Sequence, residues 1–371
     1  MKLICLLLTA FFWIGMIVDQ AQASPEKTSR IKEAYQQAMT AWIERMRGAK
    51  DQEQRTAIEA TRPDPAKAAR SIWAQILPDL NQSWTIAPAS WFLQVTQPLT
   101  SEDQTGIKRP LFGKETDAIF QAFESHHLAS KQISDSFPAL VALRDPRALE
   151  LLKKIQEKHP DQKVQGVAAL AAAIKLKELG DGPDLMKLRL QYLRKAVIQS
   201  SEEKLDGMPV SQLAEDELYI IRFLTKGRVA PDLTGMDAEN QALKLSDYLG
   251  KVIVLVFWSA DDAESARLVE MTADLAEKMK GKPVVVLGVN PDPLDRLRAL
   301  QADGRVTWRN FSDAERALSK QFRIGQSPLV YVLDQQRKVH YTGLPGSFVE
   351  MIASGLVDQQ PAQENPSKPE N

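Results

Sequence analysis

The sequence predicts an all-α region followed by an α/β domain. Three observations carry that division. Up to about residue 205, apolar residues recur at helical spacing and Asp-Pro pairs punctuate the pattern. Beyond Val229, apolar runs rich in β-branched residues take over, VIVLVF at 252–257 and VVVLGVN at 284–290. Helix-patterned stretches separate these runs, which implies a sheet covered by helices. The 371 residues suffice for two domains of ordinary size. Their 47 basic and 48 acidic side chains nearly cancel. That balance argues against a nucleic-acid surface or a polybasic membrane surface, both of which need a clustered positive field.

Residues 1–23 read as a cleaved export signal. Lys2 supplies the positive end, Leu3 to Val18 is uncharged and apolar, and Ala21-Gln22-Ala23 offers a small-x-small cleavage pattern. The alternative is an uncleaved anchor, but the apolar stretch falls short of the ~20 residues that cross a bilayer core comfortably. No second stretch reads as a span, so no membrane span is expected in the mature chain. Cys5 is the single cysteine of the sequence. Cleavage after Ala23 therefore leaves a periplasmic or other extracytoplasmic protein with neither disulfides nor thiol chemistry of its own.

Residues 24–205 form the helical region. In 25–57, Ile31, Tyr35, Met39, Trp42, Ile43 and Met46 recur at spacings of three and four, which predicts one long amphipathic helix. Asp64-Pro65 and Asp145-Pro146 each predict a capped helix start, because proline is tolerated at the first helical position. The segment 78–115 carries Pro78, Pro88, Pro98 and Pro110 and reads as irregular. An alanine-rich helix ending at Gly180 and another over 184–200 follow. A TPR-like array and a plain helical bundle both fit this region. Residues 206–227 read as a linker or helix.

Residues 228–357 form the α/β domain. The run 252–257 is a buried strand, 263–280 a helix, 284–290 a second buried strand, and 293–303 and 313–322 two further helices. LVYVLD at 329–334 and KVHYTG at 338–343 read as a hairpin. The tail 358–371 is polar and proline-rich and is expected to be disordered.

The domain resembles the TlpA/ResA class of exported thiol–disulfide proteins, a thioredoxin-like family related to AhpC/TSA peroxiredoxins. The matching residues are Ala230-Pro231-Asp232, then Leu245-Ser246-Asp247-Tyr248-Leu249-Gly250-Lys251, Phe257-Trp258, Gly288-Val289-Asn290, and Pro328 before the strand that follows it. The resemblance implies a thioredoxin-like fold and a cis Pro328 beside the active-site turn, shaping a groove for an extended polypeptide. In that family Phe-Trp is followed shortly by Cys-x-x-Cys. Aligned without a gap, Asp262 falls on the attacking cysteine and Ser265 on the resolving one. Val256 stands where many thioredoxins place a buried acid, Gln326 where glycine is common, and Arg337 in place of a hairpin glycine.

That degenerate site cannot exchange disulfides. A carboxylate has no two-electron couple with sulfur, and an alcohol forms no comparable bond. Asp261, Asp262 and Glu264 suit the start of the following helix instead, with Asp261-x-x-Glu264 resembling a capping box. A divalent cation, a carboxylate acid pair, or a Ser265 nucleophile served by His340 are the sharper alternatives. Trp258 is a candidate for the Pro328 groove and also suits a core position. His126 and His127, adjacent on a helix, diverge and are expected to face solvent. No catalytic residue, cofactor or metal is expected, and no nucleic acid. The expected function is a non-catalytic binding or assembly module holding an extended polypeptide or partner protein at the Pro328/Asp262 face. The alternatives are a redox protein whose partner supplies the thiols, and a chain whose helical region is the working part.

Overall fold

The structure, a computed structural model, describes residues 24–49, 51–102, 105–262, 265–325 and 327–358. The expected export signal with Cys5, the tail beyond Asp358, and Glu264 and Gln326 lie outside the described residues. The chain divides into two compact units, residues 1–168 and 169–371.

The first unit is built of helices α1 (Pro25–Gly48), α2 (Gln52–Glu59), α3 (Pro65–Ile76), α4 (Ile86–Thr96), α5 (Gly113–Ala122), α6 (Phe137–Ala142) and α7 (Pro146–Lys158), with α8 (Gln162–Leu176) crossing the boundary. A short hairpin of β1 (Thr100–Glu102) and β2 (Lys108–Pro110) interrupts the series. Both Asp-Pro pairs start helices. The Asp64 carboxylate accepts from the Ala66 N–H at 2.8 Å, and Asp145 from Arg147 N–H at 2.9 Å. Such a cap contributes about 1 kcal/mol.

Two expectations change here. The predicted helix over 25–57 is two helices, α1 and α2, and Asp51 caps the second by accepting from Gln54 N–H. The Trp42 indole N–H donates to the Ile58 carbonyl at 2.9 Å, so the second helix folds back on the first. The irregular segment contains α4. Its Pro88 sits in the first turn, where a missing N–H costs little. The first four helices, of 24, 8, 12 and 11 residues, do not alternate as equal pairs.

His127, expected at the surface, is 1% exposed. Residues Phe123–His127 form a π-helical turn rather than continuing α5, which shifts the angular position of the ring. Its Nε2 lies 2.7 Å from the Leu80 carbonyl, which can only accept, so Nε2 carries the proton. Burial lowers the His127 pKa, with the Leu80 hydrogen bond opposing. The folded state thus favours the neutral ring. Its contribution to stability is complete above the ordinary value of 6.5 and is lost as pH falls through the lowered folded value. The thermal midpoint is expected to decline as pH drops below that ordinary value. A His127→Gln chain, which keeps a donor but cannot titrate, should show a shallower decline. Identical pH slopes in the two chains would remove His127 from the account.

The second unit holds the rest of α8, then α9 (Pro183–Ser200), the hairpin β3 (Lys204–Leu205) and β4 (Met208–Pro209), and α10 (Val210–Phe223). Residues 206–227 are thus mostly helix. Arg189 of α9 is completely buried and donates to Glu217 of α10 at 2.8 Å. There follow β5 (Thr234–Met236), β6 (Ala242–Lys244), β7 (Val252–Phe257), α11 (Ser265–Lys278), β8 (Val284–Asn290) and α12 (Leu294–Ala302). The chain continues with β9 (Arg309–Ser312), α13 (Ala317–Gln321), β10 (Leu329–Leu333), β11 (Val339–Gly343) and α14 (Ser347–Asp358).

Five strands form one sheet in the order β11-β10-β7-β8-β9. β7, β8 and β9 run parallel, while β10 is antiparallel to both β7 and β11. Every residue of β7 is buried, as its continuous apolar run requires of a central strand covered on both faces. Its side chains alternate between two cores. Val252, Val254 and Val256 face one with Leu268, Val330 and Val349. Ile253, Leu255 and Phe257 face the other with Phe311, Phe322 and, from α10 and its C-terminal cap, Ile220 and Leu224. Two elements escape the sequence reading. β9 occupies residues placed before a predicted helix that is itself shorter, and α14 buries Val349, Ala353 and Leu356 at helical spacing. Arg337, at the family's hairpin glycine, has φ of 63°, the left-handed conformation in which glycine is favoured.

Candidate functional site

The strand-turn-helix VIVLVFWSADDAESARLV forms the site. β7 ends at Phe257, residues 258–262 turn, and α11 begins at Ser265. Two anchors fix the turn from β8. Asp292, buried just beyond that strand, accepts the Ser259 hydroxyl at 2.5 Å and the Ala260 N–H at 2.8 Å. Asn290 accepts the Asp292 N–H at 3.0 Å and donates to the Trp258 carbonyl at 3.2 Å. The bonds to the Asp292 carboxylate are charge-assisted, a kind roughly twice as strong as neutral ones.

Asp262 is half-buried. Its carboxylate accepts the Ser259 N–H at 2.9 Å through one oxygen and the Ser327 hydroxyl at 2.9 Å through the other. Ser327 precedes Pro328, and the bond between them is cis. The structure thus brings the turn and the Pro328 loop together through Asp262. Asp261 points elsewhere, pairing with Arg296 of α12 at 2.7 Å on the exposed side. The expected capping box involves Glu264 and lies outside the described residues.

Trp258 does not line a groove. It is 1% exposed, packs at 5.8 Å from the Trp308 ring, and donates its indole N–H to Asn310 at 2.9 Å. The geometry depends on Gly288. A Cβ there would lie 1.7 Å from Asn310 Oδ1 and 2.9 Å from Trp258 Nε1. Even partial overlap at such a distance forces the hydrogen-bonded pair apart.

His340 is remote from this turn. It follows β10, at the end of that strand opposite Pro328, and its Nε2 lies 3.1 Å from Asp334. It therefore cannot serve as the base for a nucleophile at position 265. Among the described residues, no group of three or more histidine, cysteine or acidic side chains is placed to hold a metal. Ser259 does meet a carboxylate, but its oxygen also accepts the Asp261 N–H at 3.1 Å and the residue is buried. The arrangement can hold a rigid turn and present Asp262, and among the described residues it holds no thiol.

Sequence reasoning missed Ser259, Asp292, Ser327 and Asn310. The stretch Asn290-Pro291-Asp292 after an apolar run was the available signal, since short polar side chains there bond the nearby backbone. Nothing local marks Ser327 or Asn310, because their partners lie 65 and 52 residues away in the chain.

The fold and the turn define a thioredoxin-like domain in the C-terminal part of the chain. The AhpC/TSA family model matches residues 226–342 of it. Peroxiredoxin Q of Triticum aestivum, a chloroplastic protein, is 28% identical over 126 residues, which cover 32% of this chain and 58% of that protein. A Buchnera aphidicola protein provisionally named peroxiredoxin bcp is 28% identical over 102 residues, covering 27% and 65%. The chain thus spans less than two thirds of the length of these curated relatives. The thioredoxin domain of a thiol-disulfide oxidoreductase from Bacteroides vulgatus is similar over 36% of this chain and 99% of its own, at 24% identity and a TM-score of 0.33.

Proposed function

We propose that the C-terminal domain is a non-catalytic binding module of an exported protein, holding an extended segment of a partner polypeptide against the Asp262/Pro328 face. The observation that carries this reading is the residue at position 262. A carboxylate, satisfied by Ser259 and Ser327, stands where the resemblance places the attacking thiol. The turn is kept rigid by Asp292 although it serves no thiol reaction. Export rests on the leader sequence at residues 1–23.

Capture of partners from an exported fraction tests the reading. The intact protein and an Asp262→Arg variant would be compared, since arginine there loses both bonds and reverses the charge. A partner set that is unchanged by the substitution would count against this face. The second reading is a redox protein acting with a partner that supplies the thiols, and the AhpC/TSA match favours it. Insulin-disulfide reduction or peroxide turnover by an exported fraction supplemented with the purified chain, above the rate of that fraction and reductant without it, would replace the first reading with the second.

A further inference from the structure

We propose that a cavity in the N-terminal unit binds a small amphiphilic carboxylate, a molecule with an apolar body and one acidic group. The cavity has a volume of about 380 Å³, within the ~300–1,000 Å³ range of small-molecule sites. It lies where the end of α4, the first turn of α5 and the α6–α7 junction meet. Leu93, Phe112, Leu143, Pro110 and Pro146 supply apolar lining. Phe112 is held in place edge-on by Phe92, with ring centroids 5.5 Å apart.

Two arginines reach this cavity, and their circumstances differ. Arg147 is fully engaged. It donates twice from Nε to the Asp145 carboxylate at 3.1 Å, and to Asp117 at 2.7 Å. Its one cation is shared by two carboxylates, Asp117 and Asp145, which line the cavity beside it, and the side chain acts as a rigid wall. Arg144 has its backbone fixed instead, its N–H donating to Gln97 Oε1 at 3.0 Å. Its guanidinium makes no hydrogen bond or ion pair among the described residues. The Thr116 hydroxyl, on the same lining, is also without a partner among them.

An apolar cavity with one uncommitted cation at its edge favours a ligand of matching pattern. The apolar body gains by leaving water. A guanidinium fork pairs with a carboxylate in two parallel bonds. An amine would find the Asp117 and Asp145 carboxylates already held by Arg147 and would meet the positive charge of Arg144, and an uncharged alcohol would forgo the ion pair.

Calorimetric titration of the full mature chain with octanoate, 1-octanol and octylamine tests the assignment. Octanoate is expected to bind saturably and more tightly than the other two. Arg144 is exposed, so Arg144→Gln should leave the thermal midpoint unchanged. That substitution should weaken octanoate about tenfold or more while changing 1-octanol less than about twofold. Gly113 also lines the cavity, with nothing within 4 Å of a Cβ built on it. Gly113→Leu should therefore weaken octanoate and 1-octanol alike. Absence of saturable octanoate binding, or an octanoate affinity untouched by Arg144→Gln, would overturn the proposal. So would equal losses of octanoate and 1-octanol in Arg144→Gln, or undiminished binding of both in Gly113→Leu.

Discussion

A chain carrying both Asp262→Cys and Ser265→Cys is expected to gain dithiothreitol-driven reduction of insulin disulfides. From Ser24 onward the sequence holds no cysteine, so the change is from no thiol turnover in that part of the chain to a measurable rate. The turn that would hold the new thiols is anchored by Asp292 to Ser259 and Ala260, neither of which is altered. The two donors that now serve the Asp262 carboxylate, the Ser259 N–H and the Ser327 hydroxyl, would face the incoming sulfur. Donors to an anion stabilise it, and the start of α11 adds its partial positive charge. The thiol introduced at position 262 should therefore ionise about 1 unit or more below the ordinary ~8.5. Ultraviolet absorbance of the thiolate against pH reads this directly. Adding Ser327→Ala should raise that pKa. An ordinary thiol with no turnover would mean that the turn is not held as described.

Gly288→Ala is expected to be the most damaging single methyl in the second unit. The added carbon would fall 1.7 Å from Asn310 Oδ1 and 2.7 Å from its Cγ. Asn310 is completely buried, so its amide cannot swing into solvent. Overpacking costs about 1–3 kcal/mol. Separating Trp258 from Asn310 leaves a buried indole N–H unsatisfied, at a further ~1–3 kcal/mol. A loss of about 3 kcal/mol or more is expected in urea denaturation. Gly288→Ala combined with Asn310→Ala removes the obstructing amide, so the pair should cost less than the sum of its members. Strict additivity would show that the two positions do not meet.

How much of this was legible in the sequence depended on how far apart the partners lie. β7 was readable because VIVLVF is apolar throughout and a central strand is buried on both faces. The Asp-Pro starts of α3 and α7 were readable because a cap bonds only two residues away. β9 was not, since Arg309–Ser312 offers one large apolar residue among polar ones. α4 was hidden by Pro88 and by burial on nearly every side, which erases the helical periodicity. Around the site, the alignment placed Asp262 and Pro328, while the bridge between them through Ser327 is a long-range contact with no local signature. Trp258 was undecidable from its neighbours, because Asn310 and Gly288 determine where its ring goes.

The two cores of the second unit also set the limits of any excised fragment. Ile220 and Leu224 help close one of them, and Val349, Ala353 and Leu356 the other. The former precede, and the latter follow, the stretch 226–342 matched by the family model. A recombinant piece cut to that stretch would leave oily surface bare on both sides of the sheet and is expected to precipitate. An autonomous version has to begin upstream of α10 and run through α14.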